Sequence, residues 1–106
     1  MEYFITGTHS YGPATEDSDL DIVLLADDAE QIREYMEKHF ITTYQTERQV
    51  EYPQGGFYFD LLGIKINIII ALDNTEFDKW KKRTERMKEF EPIENREHRI
   101  EVFNEI

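Results

Sequence analysis

The sequence predicts a single α/β (α+β) domain: a mixed β-sheet of four to five strands with two main helices packed on it. Three observations carry this expectation. Apolar and β-branched runs of strand length recur at 2–6, 19–25, 57–62 and 64–72. Two longer stretches, near 29–39 and 74–90, repeat apolar residues every three or four positions, as amphipathic helices do. Turn residues, at Gly7, Pro53-Gln54-Gly55-Gly56 and Gly63, punctuate the runs. A length of 106 residues suits one hydrophobic core and leaves no room for a second, so residues 1–106 read as one domain.

In chain order, Glu2-Tyr3-Phe4-Ile5-Thr6 is a strand that enters a turn at Gly7, and residues 19–25 form the next strand. By the twofold period of a strand, Leu20, Ile22 and Leu24 share one face, and Asp19, Asp21, Val23 and Leu25 the other. Asp27 or Asp28 is placed to cap the helix at about 29–39, whose Ala29, Ile32, Tyr35, Met36 and Phe40 would cover the sheet. Residues 41–52 mix Thr, Tyr and Val with many charges and suit an edge strand or strand-loop. The runs 57–62 and 64–72 form a hairpin turning at Leu62-Gly63, and the second, the most apolar stretch in the chain, should be a central strand. Asp73, Asn74 or Thr75 can cap a helix that runs to about Phe90, before Pro92. The tail from Ile93 to Ile106 fits a short helix or a strand equally well.

Charge narrows the classes of partner. The formal net charge is −11, which opposes binding to duplex nucleic acid by long-range repulsion. The acids dominate residues 1–74, whereas 75–106 contain 8 of the 12 Lys and Arg residues, mostly Lys79, Lys81, Lys82, Arg83, Arg86 and Lys88. A compact anion such as a nucleoside triphosphate could meet a positive patch there. Cysteine is absent, which fits a reducing compartment, and no apolar run nears the ~20 residues of a membrane span. A cytoplasmic, non-membrane protein is expected.

The chemistry concentrates in Phe4-Ile5-Thr6-Gly7-Thr8-His9-Ser10-Tyr11-Gly12 and Ser18-Asp19-Leu20-Asp21. Asp19 and Asp21 point the same way, with Cα atoms about 6.6 Å apart, so both carboxylates can reach one cation or a close pair. Such a pair suits a hard divalent cation such as Mg²⁺, which takes oxygen ligands. Gly7 lets backbone approach a phosphate without a Cβ in the way, and Thr8 and Ser10 add hydroxyl donors. Two other motifs are excluded. An EF-hand beginning at Asp17 would need Gly where Ile22 stands, and no Gly-Lys-Ser/Thr of a Walker A loop occurs.

Ten residues separate Gly7-Thr8 from Asp19, and one separates Asp19 from Asp21. A Gly-Ser or Gly-Thr followed at this distance by Asp-x-Asp resembles the signature of the DNA polymerase beta-like nucleotidyltransferase superfamily. Tyr11-Gly12 and Ser18 also match, and the likeness is greatest to its minimal members. The resemblance implies transfer of a nucleoside monophosphate from a nucleoside triphosphate to an acceptor hydroxyl. Asp19 and Asp21 would hold Mg²⁺, with Gly7, Thr8, Ser10 and Ser18 on the nucleotide. Larger members carry a helical region for the acceptor, so here a partner protein is the expected acceptor or another chain provides the pocket. The family's third carboxylate falls, by resemblance, at Asn67, which can ligate through its oxygen but cannot take a proton as a base. The alternative is a catalytically degenerate member that binds a nucleotide or a protein partner.

Asp60 would share a face with Tyr58, Lys65 and Asn67, either as a substitute for the third acid or as a cross-strand partner of Lys65. Trp80 reads as core rather than as a base-stacking ring. The cluster Lys79, Lys82, Arg83 and Arg86 reads as a solvated helix face sooner than a phosphate grip, and His9 as an exposed loop residue.

Overall fold

The computed structural model describes residues 1–13, 19–46 and 54–106. At its centre stands the stretch Ile64–Ala71, here β5. Its Ile66, Ile68 and Ile70 pack on one side of the sheet and its Ile69 and Ala71 on the other, because a strand buried on both faces needs apolar residues at every position. The remaining strands are β1 (Tyr3–Thr6), β2 (Leu20–Leu25), β3 (Tyr44–Gln45) and β4 (Gly56–Leu61). The five lie in the order β1-β2-β5-β4-β3, with β2 and β5 parallel and every other pair antiparallel. The sheet is mixed and the domain α+β, as expected.

Four helices accompany the sheet among the described residues: α1 (Thr8–Tyr11), α2 (Ala26–Lys38), α3 (Asn74–Met87) and α4 (Arg96–Glu105). The two long ones cover opposite faces. Ala29, Ile32 and Met36 of α2 pack on Ile22, Leu24, Phe57, Phe59 and Ile68. Phe77 and Trp80 of α3 pack on Phe4, Val23, Ile69 and Ala71. Val23 and Ile69 are the largest side chains closed off completely, so truncating Ile69 to Ala should cost roughly 2–5 kcal/mol.

Several details differ from the sequence reading. The polar connection after Gly7 contains the single-turn helix α1, too short to leave an apolar period. Neither Asp27 nor Asp28 caps α2: the helix starts at Ala26, directly off β2, with no side-chain cap at Leu25. The two carboxylates instead lie in its first turn, where the partial positive charge of the helix end favours them. Asp73 does cap α3, its Oδ1 accepting from Glu76 N at 2.9 Å. The helix stops at Met87, and separate turn bonds from Lys88, Glu89 and Phe90 extend the chain as far as the expected end. The ambiguous tail is helical, capped by Asn95. Tyr44–Gln45 is an edge strand, while residues 47–53, including Pro53 of the expected turn, lie outside the described residues. The hairpin turns at Leu62 and Gly63, both with positive φ (52° and 81°), the geometry of a two-residue turn that follows the sheet's twist. Among the described residues no helix is long and apolar enough to cross a membrane.

Candidate functional site

Three strands bring the site together. The antiparallel register sets Asp21 beside Thr6, the last residue of β1, and the parallel register sets it beside Asn67 of β5. Asp19 precedes β2 by one residue, on the same face as Asp21. This is the face that α3 covers, but the helix lies over Val23, Ile69 and Ala71, leaving Asp19 and Asp21 half-exposed beyond its edge.

The two carboxylates converge on one atom. Asn67 Nδ2 donates to Asp19 Oδ2 at 3.1 Å and to Asp21 Oδ1 at 2.9 Å. Asn67 is buried, 3 % exposed, so both its amide hydrogens have found acceptors that carry charge. Lys65 adds a positive charge, its Nζ lying 3.8 Å from the same Asp19 Oδ2 and 4.3 Å from the centre of the Tyr58 ring.

Gly7 closes the other side. It has φ +71°, and a Cβ added there would overlap Asp21 Oδ2. The bend therefore runs against the second carboxylate as closely as backbone can, and only glycine fits it. Beyond the bend, Ser10 N and Tyr11 N donate to Gly7 O, and Gly12 N donates to Thr8 O. These three amides serve the helical turn and are not donors to a ligand. Thr8 is half-buried at the start of α1. Ser10 lines a groove between β1 and α3, together with His9, Lys81, Thr84 and Lys88.

The structure thus brings together Gly7, Asp19, Asp21 and Asn67, sets Thr8 next to them in the chain, and places Ser10 on the outer side of β1. Ser18 lies outside the described residues. Asp60 pairs in register with Lys65 rather than with Asn67, exposed and nearer the hairpin tip, so it does not occupy the place of a third acid. Nor does Lys65 bridge to it, since the ammonium leans to Asp19. Trp80 is half-buried against Phe103 of α4, with ring centres 5.1 Å apart, and serves the core. Lys79, Lys82 and Arg83 line a separate groove with Thr75, Asp78 and Ile106. Arg86 is occupied with Glu89.

Sequence reasoning named Lys65 as a neighbour of Asp60 and Asn67, and Lys81 and Lys88 within the basic stretch, without singling out their positions beside Asp19 and Ser10. Alternation along β5 already placed Lys65 on the carboxylate face. For the other two, the seven-residue separation puts both on one side of the helix and its C-terminal cap.

The donor set suits a hard divalent cation. Asp19 and Asp21 give two charged oxygens within reach of a common point, and a half-turn of the Asn67 amide presents Oδ1 there in place of Nδ2. Among the described residues no three His, Cys, Asp or Glu side chains gather closely enough to hold a metal ion; the described group that meets both carboxylates is the Asn67 amide. Compared with known proteins, the chain matches no family model and no curated sequence.

Proposed function

We propose that this protein is a minimal nucleotidyltransferase of the DNA polymerase beta-like type, acting in the cytoplasm on a nucleoside triphosphate and an acceptor hydroxyl supplied by a partner protein. The observation that carries this is the contact between the Gly7 bend and the Asp21 carboxylate, with Asp19 and Asn67 meeting at the same point. A spacing in sequence becomes one site in space. Asp19, Asp21 and the Asn67 amide oxygen would hold Mg²⁺, which when bound supplies charge neutralisation to the phosphoryl oxygens. Gly7 lets the bend close on the Asp21 carboxylate, Thr8 offers a hydroxyl next to it in the chain, and Ser10 offers one in the neighbouring groove. Lys81 and Lys88, in the groove with Ser10, add positive charge for the outgoing pyrophosphate.

Asn67 cannot remove a proton from the acceptor. Phosphoryl transfer through a loose transition state depends chiefly on positioning and electrostatics, so losing a base slows the reaction without removing its main source of rate. The test is incubation with α-labelled nucleoside triphosphates and Mg²⁺, following pyrophosphate release and label transferred to protein. Wild type should release pyrophosphate and Asp21→Asn should not; equal release from both rejects the site.

A second reading is favoured by one observation. The Asn67 amide already satisfies both carboxylates and brings no negative charge, which suits a degenerate member that binds nucleotide without turning it over. Calorimetric binding of ATP with Mg²⁺, but no pyrophosphate under any acceptor tried, selects this reading over the first.

A further inference from the structure

Lys65 lies between two carboxylates on neighbouring strands. In the β4–β5 register it stands directly opposite Asp60. On the other side, Leu20 pairs with Ile66, which puts Asp19 beside Lys65 one step further out. Adjacent strands are about 4.8 Å apart, and a lysine stem has four rotatable carbons, so an ammonium that reaches one carboxylate reaches the other by a change of rotamer. In the structure it takes Asp19, at 3.8 Å from Oδ2, the same oxygen that accepts from Asn67. Asp60 is exposed on the neighbouring strand β4.

We infer that Lys65 is a resident counter-ion that exchanges partners: it holds Asp19 when no divalent cation is bound and crosses to Asp60 when one is. This rests on reading Asp19 and Asp21 as a cation site. The physical reason is repulsion. An ammonium within 4 Å of a ligand oxygen opposes a second, doubly charged cation on that oxygen. Asp60 gives the displaced charge somewhere to go. Lys65 and Asp60 are then positioning residues that set the affinity of the site without touching the ion.

The experiment measures Mn²⁺ affinity of the full chain by electron paramagnetic resonance, at fixed ionic strength, with circular dichroism as a check on folding. Lys65→Met should bind about fivefold more tightly than wild type, and Asp60→Asn about two- to threefold more weakly. The decisive readout is their coupling: in the Lys65→Met background, Asp60→Asn should change affinity by less than about 1.5-fold. Lys65→Arg, which keeps the charge, should stay within about twofold of wild type, and Lys65→Gln serves as a second neutral variant if Lys65→Met folds poorly. Equal affinities for wild type and both neutral variants overturn the inference, as does an Asp60→Asn effect that is the same in both backgrounds. Absence of Mn²⁺ binding by wild type and every variant overturns the cation site itself, and the partner exchange with it.

Discussion

Replacing Asn67 with Asp adds the carboxylate that the sequence pattern lacks, and its cost without metal can be worked from the geometry. The side chain is 3 % exposed, and its Nδ2 lies 2.9 and 3.1 Å from two carboxylate oxygens. The change removes two hydrogen bonds to charged acceptors and puts a like charge in their place. At an effective dielectric constant of 20, each new pair at ~3 Å repels by roughly 5 kcal/mol before anything relaxes. The new carboxyl relieves this by turning away or by holding a proton, leaving a net cost of about 3 kcal/mol at neutral pH. For a domain of this length, 1 kcal/mol shifts the melting temperature by about 4–8 °C, so a fall of about 12–24 °C is expected for metal-free Asn67→Asp.

Two further readouts follow from the same geometry. Where the new carboxyl holds a proton that the unfolded chain releases, the folded state binds more protons and stability rises as pH is lowered; where it turns away, stability is insensitive to pH in the neutral range. Saturating Mn²⁺ should recover most of the lost stability, because three carboxylates now face a cation. Scanning calorimetry with and without Mn²⁺, across this pH range, measures all three effects. A metal-free Asn67→Asp protein as stable as wild type, or one that Mn²⁺ leaves unchanged, refutes the convergence of charge at this point.

Other changes test the frame around the site. Thr84 Oγ1 donates to Trp80 O at 2.9 Å, so Thr6 is the donor in the 2.7 Å bond between the two buried hydroxyls; Thr84→Val should cost about 1–2 kcal/mol in denaturant melts, and adding Thr6→Val should cost less than a second independent loss. Leu62 is 96 % exposed with φ 52°, so Leu62→Asn should stabilise by about 0.5–1 kcal/mol, read as a rise in melting temperature. The pair Lys81→Ala and Lys88→Ala should weaken ATP–Mg²⁺ binding in calorimetry by about two- to fivefold, whereas Lys79→Ala, in the other groove, should leave it unchanged.

The sequence disclosed the sheet well, because its signals are local and periodic. Alternation in Leu20–Leu25 named the face of Asp21, and the apolar run of β5 placed it in the middle. Leu62-Gly63 fixed the hairpin register and with it the pairing of Asp60 with Lys65. What stayed hidden depends on how elements meet. Only the parallel pairing of β2 with β5, through a long crossover, reveals that Asn67 lies beside Asp21 and donates to both acids. The preference of Lys65 for Asp19 over its cross-strand neighbour comes from the same pairing. Six basic side chains lie on α3 and its C-terminal cap, and the docking of that helix on the sheet decides which of them, Lys81 and Lys88, turn towards α1.

The most direct measurement is an anomalous difference map from crystals soaked with Mn²⁺ and a non-hydrolysable ATP analogue. The expected map has a manganese peak between Asp19 and Asp21, the Asn67 amide turned to present its oxygen, and phosphate density against the Gly7 bend. Phosphates bound elsewhere with no peak between the two carboxylates, and the Asn67 amide still donating to both, contradict the proposed site.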